Sequence, residues 1–478
     1  MKEGYIKQKD RKNILLLTDD IRVHSGVAQI GREIVLNTSH RYNWVQLAGA
    51  IKHPDKGNIQ DLSQATNEVA GIDDSYVKLY PCDGYGDPKV LRDVIKREKI
   101  DALFLITDPR YFEWLFHVES EIRKSIPIAY LNIWDDLPAP MYNKEFYNSC
   151  DALFGISKQT KNINEMVLGK DSKSKIIKYI PHGLNHKIFK PIDKNNKDIK
   201  EILKHLTGNS EDDKFTLFFN SRNIRRKSIP DTILAWKYFL DGLPSKERKN
   251  CQFILHTSPI DEHGTDIPAV INFLFPENDH NIIISGNKLA TEQMALLYNI
   301  ADGVILLSSA EGWGLSLTEA LLTGTPIIAN VTGGMQDQMR FEDENGKWYT
   351  PNPEVPSNHK KTYTKCGKWA LPVFPTNLSL VGSPKTPYIY DDRCNSEDAA
   401  LQIKALYNMG DKKRKEIGKL GLKWALSEEA GFTSEKMSNR VIEGMDELFQ
   451  TWTPRENFTF SDDKNYQKNR SLNHKLIY

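Results

Sequence analysis

Residues 311–319, EGWGLSLTE, decide the fold. Two carboxylates, Glu311 and Glu319, stand eight apart, with a Gly-aromatic-Gly turn between them. The preceding run in GVILLSS, Gly303 to Leu307, is short, branched and bounded by polar residues, which predicts a buried parallel strand. After the turn, Leu315 to Leu322 has helical apolar spacing and is closed by Gly324 and Pro326. The unit is strand, glycine turn, helix, with one carboxylate at the strand's carboxyl end and another one turn into the helix. Open α/β sheets bind ligands at that end. Behind Gly314, the amides of Leu315, Ser316 and Leu317 stand at a helix N-terminus, where phosphate is favoured. A carboxylate on each side of a phosphate cradle suits hydroxyl-rich groups flanking a diphosphate, which is the chemistry of a nucleotide sugar.

Working outward, FNSRNIRRKSIPDTILAW places Arg222, Arg225, Arg226 and Lys227 after an apolar strand, Phe215 to Phe219, and before a helix starting near Pro230. A diphosphate carries about two negative charges, and each hydrogen bond to a charged group is worth roughly 1.5–3 kcal/mol. A solvated basic turn at a strand end is the structural alternative. Near the amino terminus, ILLLTDDIRVHSGVAQIGREIV reads as a buried strand, Ile14 to Leu17, a loop with Ser25 and Gly26, and a helix from about Val27. A tight βα turn needs such a glycine in any case.

EGWGLSLTE resembles the E-x7-E element of family-4 retaining glycosyltransferases, which have the GT-B fold. Arg222 and Lys227 have the spacing of that family's Arg-x4-Lys pair, which holds the donor diphosphate. YIPHGLNHKIFKP, Tyr179 to Pro191, looks like the N-G-V-D-x3-F-x-P junction between the two domains, with His182 for Asn and Asn185 for Asp. NIIISGNKLATEQMALLYNIADGVIL is similar to the stretch beside the nucleobase, which makes Asn287 and Lys288 candidates for base contacts or ordinary loop residues. Gly26 stands where relatives carry a glycine loop near the donor phosphates.

One departure concerns the sugar side. Many relatives have a histidine after the fifth strand; here PIAYLNIWDDLPAP supplies Trp134, Asp135 and Asp136. Either aspartate binds donor or acceptor hydroxyls, or caps a turn before Pro138. Asp108, in TDPRYFEW, is a second candidate for the acceptor wall, or a helix cap. The resemblance implies a retaining, metal-independent transfer from a nucleotide-diphosphate sugar, with Arg222, Lys227 and Glu311 catalytic. Gly26, Asn287, Gly314, Leu315, Ser316, Leu317 and Glu319 would bind the donor. It implies no cofactor. The chain also resembles uncharacterised glycosyltransferases of large tailed viruses, some of whose relatives modify hydroxylated bases in DNA. The acceptor classes left open are therefore DNA, a glycan and a small metabolite.

Composition sets the outer bounds. A chain of 478 residues, 39% hydrophobic, is ample for two cores. A formal net charge of +1 gives no global field toward nucleic acid or acidic membrane. The five cysteines are odd in number and lack CxxC, which favours reduced thiols in a cytoplasm. The charged start and the absence of an 18-residue apolar run predict no stable membrane insertion.

Strands alternate with helices in two series, which predicts two doubly wound Rossmann-like domains facing a cleft. Expected boundaries are residues 1–185, a Lys-rich connector 186–212, a nucleotide-sugar domain 213–430, and 431–478 as a returning helix with a basic tail. From Asp337 to Asp392 the regular pattern fails, amid many Pro, Gly and aromatic residues, which predicts a long functional loop. GxGxxG, a P-loop, Asp-x-Asp and HExxH are all missing, which argues against dinucleotide oxidoreductases and metal-dependent transferases. Two other readings stay open: a non-catalytic nucleic-acid binder on this scaffold, and a GT-B epimerase or phosphorylase.

Overall fold

The computed structural model describes residues 4–49, 52–209 and 214–455. The first sheet comprises β1 (Lys12–Asp19), β2 (Tyr42–Gly49), β3 (Gln60–Asp61), β4 (Val77–Pro81), β5 (Ala102–Ile106), β6 (Ile128–Asn132), β7 (Ala152–Gly155) and β8 (Ile176–Tyr179). Their order is β3-β4-β2-β1-β5-β6-β7-β8, with only the short β3 antiparallel to its neighbour. The second sheet comprises β9 (Phe215–Asn220), β10 (Cys251–His256), β11 (Ile282–Ser285), β12 (Gly303–Leu306), β13 (Ile327–Asn330) and β14 (Ala370–Val373). It runs β11-β10-β9-β12-β13-β14, all parallel.

Side-chain alternation explains the continuous apolar runs. In β1, Ile14 and Leu16 join Trp44 and Phe104 in one core, while Leu15 and Leu17 join Val45 and Leu103 on the opposite face. Every one of these side chains is buried, so both faces of the strand select apolar residues.

The strand order also fixes where a ligand can sit. From β1 the chain builds outward through β2 and β4, then returns to the other flank of β1 as β5. From β9 it builds through β10 and β11, then returns beside β9 as β12. Each reversal opens a crevice at the carboxyl ends of the central strands. The connection after β1 leads into Gly26 at the head of a helix, and those after β5, β9 and β12 carry Asp108, Arg222–Lys227 and Glu311.

The stretch 337–392 is more regular than its sequence suggests. It supplies β14, the edge strand of the second sheet, and an antiparallel hairpin of β15 (Asn377–Ser383) and β16 (Thr386–Arg393). Pro372 interrupts the apolar pattern of β14, yet an edge strand tolerates a residue that donates no hydrogen bond. The hairpin crosses to the first domain. The Tyr390 amide donates to the Leu137 carbonyl (2.7 Å), and the Tyr142 hydroxyl donates to the Tyr388 carbonyl (2.9 Å). The last helix, Ser434–Thr451, also crosses. Its Asp446 takes hydrogen bonds from the Tyr42 hydroxyl (2.8 Å) and Arg41 (2.6 Å), and its Gly444 lies on the Phe154 ring. The basic tail 464–478 lies outside the described residues.

Candidate active site

A cavity of about 620 Å³ opens between the two domains at the switch points of both sheets. Ser25, Gly26, Asp108, Trp134 and Asp135 line it from the first domain, and Asn220, Arg222, Lys227, Glu311, Gly314 and Glu319 from the second.

The glycine turn after β12 is built to be rigid. Gly314 has φ +85°, a left-handed conformation that glycine adopts without steric cost, and it precedes the helix Leu315–Thr323. The Trp313 indole donates to the Thr318 hydroxyl (2.9 Å), which donates to Gln338 (2.8 Å). The Gln338 amide in turn donates to the Trp313 carbonyl (2.7 Å), closing a buried ring around the turn. Among the described residues the amides of Leu315 and Ser316 have no hydrogen-bond partner. The Leu317 amide donates to the Gly314 carbonyl (3.0 Å) and its side chain is fully buried, so Leu317 drops out of the expected cradle.

Across the cleft the helix Gly26–Thr38 presents its own N-terminus, capped by Ser25, whose hydroxyl accepts the Ala28 amide (3.0 Å) and donates to Asp19 (2.6 Å). A Cβ on Gly26 would come within 3.1 Å of the Leu315 side chain, so the two helix ends nearly touch. Two positive dipole ends therefore face one space, a setting that attracts an anion.

The cations follow β9. A tight 3-10 turn, Arg225–Lys227, sends Lys227 into the interior, where it forms an ion pair with Glu311. Arg226 reaches the same carboxylate (3.0 Å) and also donates to the Ala310 carbonyl (2.6 Å). Burial by itself would raise the Glu311 carboxyl; Arg226 and Lys227 overcome it and hold the group at about 2. Burial keeps the Lys227 ammonium below its ordinary value, with Glu311 offsetting part of that shift. Arg222 stands at the rim, 63% exposed, and pairs with Asp261 (3.2 Å). Thus Glu311 and Lys227 are a buried pair joined by the half-buried Arg226, a role for Arg226 that spacing alone does not reveal.

Glu319 is different. Its carboxylate accepts hydrogen bonds from the Tyr298 hydroxyl and the Asn220 amide (3.3 Å). Among the described residues no cation pairs with it, and burial pushes the group up to about 7 against those two donors. Tyr298 and Asn220 come from a helix and from the end of β9, so only the fold brings them to Glu319.

The remaining candidates separate. Asp135 lines the cavity, its carboxyl raised by burial with Arg226 opposing. Asp108 lines it as well, while accepting the Arg110 amide (3.0 Å) and pairing with the Arg110 side chain, so it is both cap and wall. Asp136 is fully buried and turns away from the cavity toward Leu137, Gln159 and Thr332, which corrects its reading as a hydroxyl binder. Asn287 is exposed and lines a separate cavity of about 180 Å³ beside Ile202 and His205. It is therefore no wall of the main cleft. His182, also in the cleft wall, is held neutral by burial, at about 3.

Residues 276–360, which include EGWGLSLTE, match the family model described as Glycosyl transferases group 1. The chain is 24% identical over 263 residues to the alpha-monoglucosyldiacylglycerol synthase of Acholeplasma laidlawii. That alignment covers 55% of this chain and spans about 60% of the length of that relative. Among solved structures, HepE of Anabaena in complex with UDP and glucose is similar with a TM-score of 0.61 at 15% identity, over 92% of this chain and 100% of that one. Sucrose-phosphate synthase from Thermosynechococcus elongatus is similar with a TM-score of 0.64 at 15% identity, with the same coverage. At such identities the likeness shows architecture. This is an α/β chain of the GT-B fold, two Rossmann-like domains facing a cleft, whose segment 276–360 matches the group 1 glycosyl transferases.

Proposed function

We propose that the cleft binds a nucleoside-diphosphate sugar and transfers its sugar to an acceptor hydroxyl with retention of anomeric configuration. The observation that carries this reading is the buried Lys227–Glu311 pair with the half-buried Arg226 on the same carboxylate, in the same cavity as the unpartnered amides of Leu315 and Ser316. A diphosphate can replace Glu311 as the counter-ion of both cations, which frees the carboxylate to accept hydroxyls of the sugar. Glu319, one turn into the helix, is suited to the ribose hydroxyls. HepE, whose structure holds UDP and glucose, supports this class of donor.

The glycosidic bond breaks toward the diphosphate, and Lys227, Arg226 and the helix amides stabilise its growing negative charge, with Arg222 closing from the rim. The acceptor oxygen attacks from the same face, and the departing diphosphate takes its proton. Enough cations line the cleft for the chemistry to proceed there without a metal. Asp108 and Asp135 stand on the first-domain wall, where an acceptor hydroxyl would lie. The acceptor classes are a hydroxylated base in DNA, a glycan or a small metabolite. A lipid-linked glycan belongs with these, and the name of the Acholeplasma relative, a synthase of monoglucosyldiacylglycerol, adds the hydroxyl of a diacylglycerol.

Nucleotide sugars are to be screened for transfer and the product's anomeric coupling read by NMR. The expected product keeps the donor's configuration, and Lys227→Ala should lower kcat by about 10²–10³, the usual effect of losing one oxyanion donor. A product of inverted configuration, or normal turnover in Lys227→Ala, overturns the reading.

A further inference from the structure

Outside the cleft, where the segment after β13 is pressed onto the first domain, three titratable side chains converge. Asp136 comes from the loop after β6, His359 from the short turn Asn358–Lys360, and Asp392 from β16. They are 0%, 5% and 0% exposed, and one ligand atom from each lies within 4.8 Å of the others. We propose that Asp136, His359 and Asp392 bind a divalent first-row cation that fastens the segment 331–393 to the first domain.

These carboxylates are short of protons. Asp392 Oδ2 lies 2.7 Å from the Thr332 hydroxyl and 3.1 Å from His359 Nδ1. Asp136 Oδ2 lies 3.2 Å from the same hydroxyl, which has a single proton to give. Asp392 Oδ1, fully buried, has no partner among the described residues. Only Asp136 Oδ1 is well supplied, by the Leu137 amide (2.7 Å) and the Gln159 side chain (3.2 Å). Among the described residues no lysine or arginine pairs with either carboxylate, and His359 is the one cation-capable side chain that reaches them. Two adjacent buried carboxylates with too few donors are costly unless a positive charge sits between them.

The donor set indicates which cation. Two carboxylate oxygens and one imidazole nitrogen, with the Thr332 hydroxyl alongside, suit a borderline ion such as Mn²⁺ or Zn²⁺. Ca²⁺ prefers six to eight oxygens, roughly twice what is gathered here. Gln159 holds Asp136 in place from behind, as outer partners of ligands commonly do. Because the ligands come from both domains, the site is complete only when the segment is docked, so binding and docking are one event.

The test uses the full chain, without reference to turnover. Metal content is measured by plasma mass spectrometry, and the melting temperature is followed after chelation and on adding back Mn²⁺ or Zn²⁺. The expected result is one cation per chain and a melting temperature that falls by several degrees on chelation and returns with the metal. Asp392→Asn, nearly the same shape, should abolish that return or weaken binding by more than the roughly 10–100-fold cost of losing an outer partner. Should the variant not fold, Co²⁺ is added to the chelated wild-type chain, where visible absorption from an imidazole and oxygen ligand set is expected. A chain without metal, whose melting temperature ignores all three ions, overturns the proposal. So does an Asp392→Asn variant that responds like the wild type, or a chelated wild-type chain that leaves the Co²⁺ spectrum unchanged.

Discussion

Glu311 and Glu319 share a side chain and a helix end, yet the surroundings drive them in opposite directions. The difference is the presence of Arg226 and Lys227 at one and only neutral donors at the other. The signs of their effects on stability therefore differ. Glu311, at about 2 in the folded chain against 4.5 in the open, stabilises above about pH 4.5 and loses that contribution as pH falls toward 2. Glu319, at about 7 against 4.5, keeps a proton that the unfolded chain has released. Its contribution becomes less favourable as pH rises from 4.5 to 7, by roughly 3 kcal/mol, and stays there above. Glu319→Gln should flatten this part of the stability profile and raise stability at pH 8, measured by urea denaturation. A profile unchanged by the substitution would show that Glu319 is ionised throughout. If ribose hydroxyls donate to this carboxylate, they favour its charged form. Nucleotide binding near pH 7 should then release a proton, and affinity should weaken below pH 7. Titration calorimetry in buffers of differing ionisation heat reads that proton directly. At this scale Glu311, Glu319 and Lys227 were legible because glycine spacing and strand ends mark them. Arg226 was not, since an irregular turn has no period from which to read side-chain direction. Nor were Tyr298 and Asn220, which lie 21 and 99 residues from Glu319.

At the scale of elements, the strands that sequence reveals are those buried on both faces. ILLL, ALFLI and GVIL read as unbroken apolar runs because each has a helix layer on either side. The strand Val77–Pro81 escapes such a reading, as its burial alternates and it ends in proline. The hairpin β15–β16 escapes too, for most of its residues are at least partly exposed. A glycine in the junction between the domains acquires its reason only in the fold. Gly183, in YIPHGLNHKIFKP, passes so close to the start of the last helix that a Cβ would sit 2.1 Å from the Thr433 carbonyl oxygen. The contact is flanked by paired backbone bonds, Leu184 amide to Phe432 carbonyl (3.1 Å) and Ser434 amide to Leu184 carbonyl (2.9 Å). Gly183→Ala would gain roughly 0.4–1 kcal/mol from a stiffer unfolded chain, but the clash is with backbone and cannot be relieved by a rotamer. Overpacking of that kind costs about 1–3 kcal/mol. The net expectation is a loss of roughly 1–2 kcal/mol in urea denaturation. A stabilised variant would mean that the two backbones separate easily.

For the whole molecule, the two sheets were legible as two alternating series, while the ties between them were not, because residues far apart in sequence make them. The chain passes from the first domain to the second near Leu184, sends the hairpin β15–β16 back, and returns for good with the helix Ser434–Thr451. Met437, Val441, Met445 and Leu448 of that helix are buried, although the helix follows every strand of the second sheet in sequence. Covalent continuity and spatial partition therefore do not coincide. A cut in the exposed turn near Asn195 would sever the polypeptide without parting the halves, since the downstream fragment carries a piece of the upstream domain. Co-expressed fragments 1–195 and 196–478 should copurify and melt in one transition, whereas fragment 1–195 alone, with the surface around Tyr42 and Phe154 uncovered, should aggregate. Separation of the pair on gel filtration would refute this. The backbone link between the domains is then dispensable for assembly, and the molecule is better described as two interlocked pieces that happen to share one thread.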